Sequence, residues 1–162
     1  MSVVATLVLG QDGSTTKGGT SQALSSAVDR DRFLARRRTF DCLIIGGKTA
    51  RNERYSRTPV PVVIISHTEP DLLKVNDQAH WLNCSPVEAI EIARLKFGPE
   101  IGIEAGWSIL SELLEAGAID EFELSITTIS SGEDRVDYDF ILSHFTEVKI
   151  EVLDDTTFYS CR

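Results

Sequence analysis

Apolar residues in this chain fall in short, nearly continuous runs separated by polar, glycine-rich stretches. Ser2–Leu9 (SVVATLVL) is long enough for a buried strand and too short for a free-standing helix. Cys42-Leu43-Ile44-Ile45, stopped by Gly46-Gly47, reads the same way, as does Val60–Ile65, whose Pro61 sits near the start of the run where proline is tolerated. His80–Cys84 predicts a weaker strand, and Ile101-Gly102-Ile103-Glu104 another strong one. Ser26-Ala27-Val28-Asp29 has capping-box spacing and predicts a helix through Arg38. Pro86 marks the first turn of a helix running to about Lys96. In Trp107–Ala116, Ile109, Leu110, Leu113 and Leu114 recur at helical spacing, and Gly117 stands where a left-handed cap belongs.

Further on the period changes to two. Phe122, Leu124 and Ile126 alternate with Glu123, Ser125 and Thr127, predicting a half-buried strand over 121–128. Val148, Ile150 and Val152 alternate likewise, and Asp154-Asp155 turns the chain into Thr157-Phe158-Tyr159, a terminal hairpin. These two alternating runs are expected to lie antiparallel towards one edge of the sheet. The whole pattern predicts one α/β domain over residues 1–162: a mostly parallel sheet flanked by helices, ending in an antiparallel hairpin. Ligands in such sheets sit beyond the carboxyl ends of the strands.

Composition narrows the class. No apolar run approaches the length of a membrane span. Met1 leads straight into a strand-like run with no secretory pattern, and three widely spaced cysteines (Cys42, Cys84, Cys161) fit neither a disulfide framework nor a zinc site. A cytoplasmic protein without a metal is expected. The net charge of -9 is unevenly placed: residues 1–57 carry ten Lys or Arg against five Asp or Glu. A basic patch of this kind attracts a phosphate despite an acidic whole. The basic residues lack interleaved aromatics, so nucleic acid is not the expected partner.

Three short elements carry candidate chemistry. Glu104-Ala105-Gly106 ends a strand and opens a helix whose first amides and partial positive charge suit a phosphate, with Gly106 clearing the approach. Gly46-Gly47-Lys48-Thr49-Ala50-Arg51 lacks Walker spacing and reads as a glycine turn into a short helix. Arg36-Arg37-Arg38 offers forked contacts to an anion. Each also has a plain structural reading: a packing turn, an ordinary strand-to-helix turn, and a solvated helix end. His67-Thr68-Glu69 matches half of a zinc-deaminase signature without its P-C-x-x-C companion.

Taken in order, Asp12-Gly13, Gly19-Thr20-Ser21, Arg37, Gly46–Arg51, Ile103-Glu104-Ala105-Gly106 and Ile119-Asp120-Glu121 resemble the reductase domain of bacterial riboflavin biosynthesis, a family with a dihydrofolate-reductase-like fold. The resemblance spans nearly the whole chain, with Trp107 standing where the family usually has proline or a small residue. It implies an NADPH-dependent reductase acting on the ribosyl group of 5-amino-6-(5-phosphoribosylamino)uracil. It further implies cofactor contacts at Thr49, Glu53, Gly106, Trp107, Ser108 and Ile109. Substrate contacts are implied at Ser21, Arg37 and Glu104, with Arg37 on the phosphate and Glu104 as the catalytic residue. A small phosphorylated substrate and a homodimer follow from the same resemblance. The alternatives are a divergent relative acting on another compound and a non-catalytic nucleotide binder.

Overall fold

The computed structural model describes residues 1–162. Its centre is an eight-stranded sheet built from β1 (Ser2–Leu9), β3 (Cys42–Gly46), β4 (Val62–Ile65), β5 (Ala79–Leu82), β6 (Glu100–Ile103), β7 (Glu121–Ile126), β9 (Val148–Leu153) and β10 (Thr156–Cys161). Their order across the sheet is β5-β4-β3-β6-β1-β7-β10-β9. All pairings are parallel except those of β10, which runs antiparallel to both neighbours. A separate antiparallel pair joins β2 (Ser14–Thr16) to β8 (Glu133–Arg135). No helix is long and apolar enough to cross a membrane.

The apolar runs become strands because both faces of the sheet are covered. One face packs Val3, Ala5, Ile44, Ile101, Ile103 and Phe122 with the buried sides of α3 (Pro86–Phe97) and α4 (Trp107–Glu115). The other packs Val4, Leu43, Ile45, Val62 and Ile64 with Phe40 and Tyr55. Glycine in β6 has a steric reason: a Cβ on Gly102 would lie 2.4 Å from the Phe40 ring. Helix α3 begins at a full capping box between Ser85 and Glu88, with Pro86 in its first turn.

Several details differ from the sequence pattern. The helix expected to reach Arg38 is α1 (Ala27–Arg36), prolonged by a 3-10 turn over Arg37–Thr39. Ser26 caps it by accepting from the Asp29 amide, but the Asp29 carboxylate takes the Ser25 hydroxyl, so the capping box is incomplete. The two alternating runs β7 and β9 are not antiparallel. The terminal strand β10 inserts between them, antiparallel to each, so β7 runs parallel to β1 and β9 forms the edge.

Candidate functional site

Beyond the carboxyl ends of β1, β3 and β6 the structure opens a cleft of about 580 Å³. Its floor is a buried polar cluster. Glu104 follows the last residue of β6, where its amide still bonds to the Ile44 carbonyl, which turns its side chain into the cleft. Arg37 Nε donates to both Glu104 oxygens at 2.9 and 3.0 Å, and Nη2 donates to Oε2 at 2.6 Å. The Tyr55 hydroxyl donates to the same Oε2 at 2.6 Å. The Arg37 guanidinium also lies over two rings, 4.4 Å from the centroid of Phe33 and 4.6 Å from that of Tyr55.

This environment sets the protonation states. Burial works against charge on Arg37, but the hydrogen bond and charge of Glu104 outweigh it and raise the guanidinium above its ordinary value. Burial, reinforced by the Glu104 charge, pushes the Tyr55 phenol well above its usual range. The cluster is a fixed ion pair with a neutral phenol attached.

One wall is made by two glycine turns. Helix α2 (Gly47–Asn52) follows β3, and α4 follows Glu104-Ala105-Gly106. A Cβ on Gly46 would sit 2.9 Å from Ile109 Cδ1, so the glycine lets the start of α4 lie against the end of β3. A Cβ on Gly106 would meet nothing within 4 Å; the position faces open cleft. Gly106 is the helix N-cap without a side-chain cap, and the Trp107 and Ser108 amides make no hydrogen bond within the chain. Open space and free donors together suit the diphosphate of a dinucleotide. Trp107 packs edge-on against Phe140 of α5 (Tyr138–Leu142), centroids 5.9 Å apart, so another ring fixes the indole at the cleft wall.

The opposite wall is α1 with the loop before it. Glu53, just past α2, accepts from the Ser21 amide at 2.6 Å and hydroxyl at 2.9 Å, tying that loop across the cleft. Above it the β2–β8 pair forms a flap, and Lys48 lies 3.6 Å from Asp134 at the rim.

The cofactor and substrate contacts expected from the resemblance all line this cleft: Ser21, Arg37, Thr49, Glu53, Glu104, Gly106, Trp107, Ser108 and Ile109; Arg38 and Arg51 do not. Two pairings change the picture. Arg37 is only 5% exposed, with Nε and Nη2 committed to Glu104, so it is not the free fork that a phosphate needs. The donors left for a ligand are Nη1, which makes no hydrogen bond within the chain, and the second N–H of Nη2. Ser21 and Glu53, expected on substrate and cofactor respectively, hold each other. Sequence reasoning gave no role to Tyr55, Phe33 or Arg30. Spacing along α1 (Arg30, Phe33 and Arg37 at i, i+3 and i+7) marks the last two as sharing a face with Arg37; nothing local marks Tyr55.

An α/β sheet of this order, with a cleft between two glycine turns at its carboxyl end, defines a dihydrofolate-reductase-like class. Within it, residues 2–155 match the family model of the RibD C-terminal domain, and the chain belongs to that family of riboflavin-pathway reductases. The family uses a nicotinamide cofactor. Its fold is similar to a pyrimidine reductase-like protein of Corynebacterium diphtheriae (TM-score 0.71, 17% identity, 99% of this chain and 91% of that one). A putative riboflavin biosynthesis protein of Shewanella sp. PV-4 is comparably similar (0.71, 17%, 99% and 98%). So is the diaminohydroxyphosphoribosylaminopyrimidine deaminase/5-amino-6-(5-phosphoribosylamino)uracil reductase of Thermotoga maritima (0.71, 13% identity), of which this chain covers 56%. No curated protein sequence matches.

Proposed function

We propose that this protein is an NADPH-dependent reductase of the ribosyl group of 5-amino-6-(5-phosphoribosylamino)uracil. The observation that carries the reading is the pairing of an open, donor-lined turn at Gly106 with a buried Arg37–Glu104 floor in one cleft. The Trp107 and Ser108 amides hold the cofactor diphosphate, and Thr49 contacts the cofactor from the turn after β3. Bound there, NADPH supplies the hydride.

The chain's own groups orient the substrate and keep water out. The Glu104 oxygens, positioned by Arg37 and Tyr55, accept hydrogen bonds from a ring N–H or a sugar hydroxyl. Arg37 Nη1 donates to a carbonyl of the same molecule. Ser21 and Glu53 close the cleft from the side. In solution the protein pairs as a homodimer through its β9 edge, which carries exposed Val148, Ile150 and Val152.

The deciding experiment mixes protein, NADPH and 5-amino-6-(5-phosphoribosylamino)uracil and follows loss of NADPH absorbance with identification of the ribitylamino product. Stoichiometric oxidation supports the reading. Binding of NADPH with no oxidation by that compound replaces it with a divergent reductase or a nucleotide-binding relative.

A further inference from the structure

We infer that Arg30 is the receptor for the substrate's phosphate, at the mouth of the cleft, two helical turns from the Arg37–Glu104 pair; this rests on the function proposed above. The inference starts from which cations are free. Five basic side chains line the cleft: Arg30, Arg36, Arg37, Lys48 and Arg54. Arg36 pairs with Glu123 at 2.9 Å, Arg37 with Glu104 at 2.6 Å, and Lys48 with Asp134 at 3.6 Å. Arg30 and Arg54 have no ion-pair or hydrogen-bond partner for their guanidinium groups. Arg54 is exposed, whereas Arg30 is half-buried.

Arg30 is also positioned. It stands three residues before Phe33 and seven before Arg37, a spacing that places all three on one helical face. Both guanidinium groups lie over the Phe33 ring, that of Arg30 5.5 Å and that of Arg37 4.4 Å from its centroid. The inner one is neutralised by Glu104 and the outer one is not. Seven residues of helix set the two Cα atoms about 10 Å apart along the axis, comparable to the span from a pyrimidine ring to the 5-phosphate of its ribosyl group.

The direction of α1 fixes which end faces out. Arg36 pairs with Glu123 within β7, while the Leu24 carbonyl before the helix accepts from Thr127, just beyond the end of β7. Arg30 therefore sits nearer the open ends of the parallel strands. The cofactor turns follow β3 and β6, on the far side of β1 from the strands beneath α1, which leaves Arg30 on the substrate side. A planar fork held against a ring and lacking a carboxylate suits a phosphate monoester.

The test compares Arg30→Ala, Arg30→Lys and Arg54→Ala with the parent. NADPH affinity, read by tryptophan fluorescence, and melting temperature stay at parent values in Arg30→Ala. Its KM for the phosphorylated substrate rises roughly 10- to 100-fold, the loss of a charged hydrogen-bonded contact. Its KM for the same compound lacking the phosphate does not move, and Arg30→Lys recovers part of the loss. A second arm needs no turnover: calorimetry with ribose 5-phosphate gives binding to the parent, weakened in Arg30→Ala, and none with ribose. Equal KM for both compounds in parent and Arg30→Ala, no ribose 5-phosphate binding by the parent, or a phosphate-specific loss confined to Arg54→Ala, overturns the assignment. Failure of the parent to oxidise NADPH overturns the proposed reaction instead, and the ribose 5-phosphate arm still decides the receptor.

Discussion

Arg37 grips both carboxylate oxygens of Glu104 across 67 residues of sequence, with three hydrogen bonds of 2.6–3.0 Å in a setting where neither side chain is more than 6% exposed. The pair joins the end of α1 to the end of β6, so the floor of the cleft is also a tie between two layers of the fold. Removing one partner leaves the other charge buried without compensation, which commonly costs about 3–5 kcal/mol. Arg37→Ala is therefore expected to lower the melting temperature on the order of 10 °C for a chain of this size. Arg36→Ala, which breaks the more exposed pair with Glu123, is expected to cost about 1 kcal/mol or less. Urea unfolding of the two variants measures the contrast; equal losses would mean that the Arg37–Glu104 pair carries no special share of stability.

Gly106 separates binding from folding. Because a side chain there meets only open cleft, Gly106→Asp is expected to melt like the parent. It places bulk and a negative charge where the cofactor diphosphate lies, so NADPH affinity should fall by well over tenfold. Gly106→Ala should lose less, and Lys74→Ala, a cation paired with Asp71 outside the cleft, nothing. Calorimetry with NADPH reads all three. Unchanged affinity in Gly106→Asp would move the cofactor elsewhere.

Much of this architecture was legible in the chain because its strongest elements are also its most periodic. β1, β3 and β6 are largely buried and read as nearly continuous apolar runs, and α4 shows its apolar stripe directly. The glycine turns were legible for the same local reason. β2 and β8 were not, since three polar residues each carry no period; they exist because Ser14 pairs with Arg135 and Thr16 with Glu133. The insertion of β10 between β7 and β9 depends on long-range pairing that alternation alone does not encode. The closure of Arg37 on Glu104 and Tyr55 is likewise a tertiary event, which is why Arg37 reads from sequence as a free phosphate ligand.

The flap over the cleft should respond to acid through Asp12. Its carboxylate accepts from the Ser14 hydroxyl at 2.5 Å and the Ser131 amide at 2.9 Å, with Arg135 at 3.3 Å. The Ser14 hydroxyl, then the Ser131 amide, hold its pKa down to about 2 from an ordinary 3.8. A folded-state pKa below the unfolded one gives stability that is complete above the ordinary value and lost as pH falls through the folded one. The parent should thus lose part of its stability between about pH 4 and pH 2. Asp12→Asn should be less stable at neutral pH and show a shallower acid dependence in that window. Denaturant titrations at several pH values test this, and parallel curves for the two proteins would exclude Asp12 as the source.

The β9 edge makes the quaternary prediction. In the β9–β10 hairpin, Leu153 faces Thr156 across a two-residue turn, so the backbone groups of Val148, Ile150 and Val152 point away from β10. Those residues are 38%, 62% and 69% exposed, an apolar stripe along an unpaired edge of the kind that recruits another strand. Antiparallel pairing of two copies centred on Ile150 sets Val148 opposite Val152 and, on the other face, Lys149 opposite Glu151. The stripe and the charges are then both self-complementary, as a two-fold interface requires. Sedimentation at micromolar concentration is expected to show a dimer for the parent and a monomer for Ile150→Lys. Lys149→Glu and Glu151→Lys should each weaken the dimer by opposing like charges, and the double exchange should restore part of it, since exposed cross-strand charge pairs contribute only about 0.2–1 kcal/mol. A parent that sediments as a monomer removes the interface, and a dimer indifferent to Ile150→Lys places it on another surface.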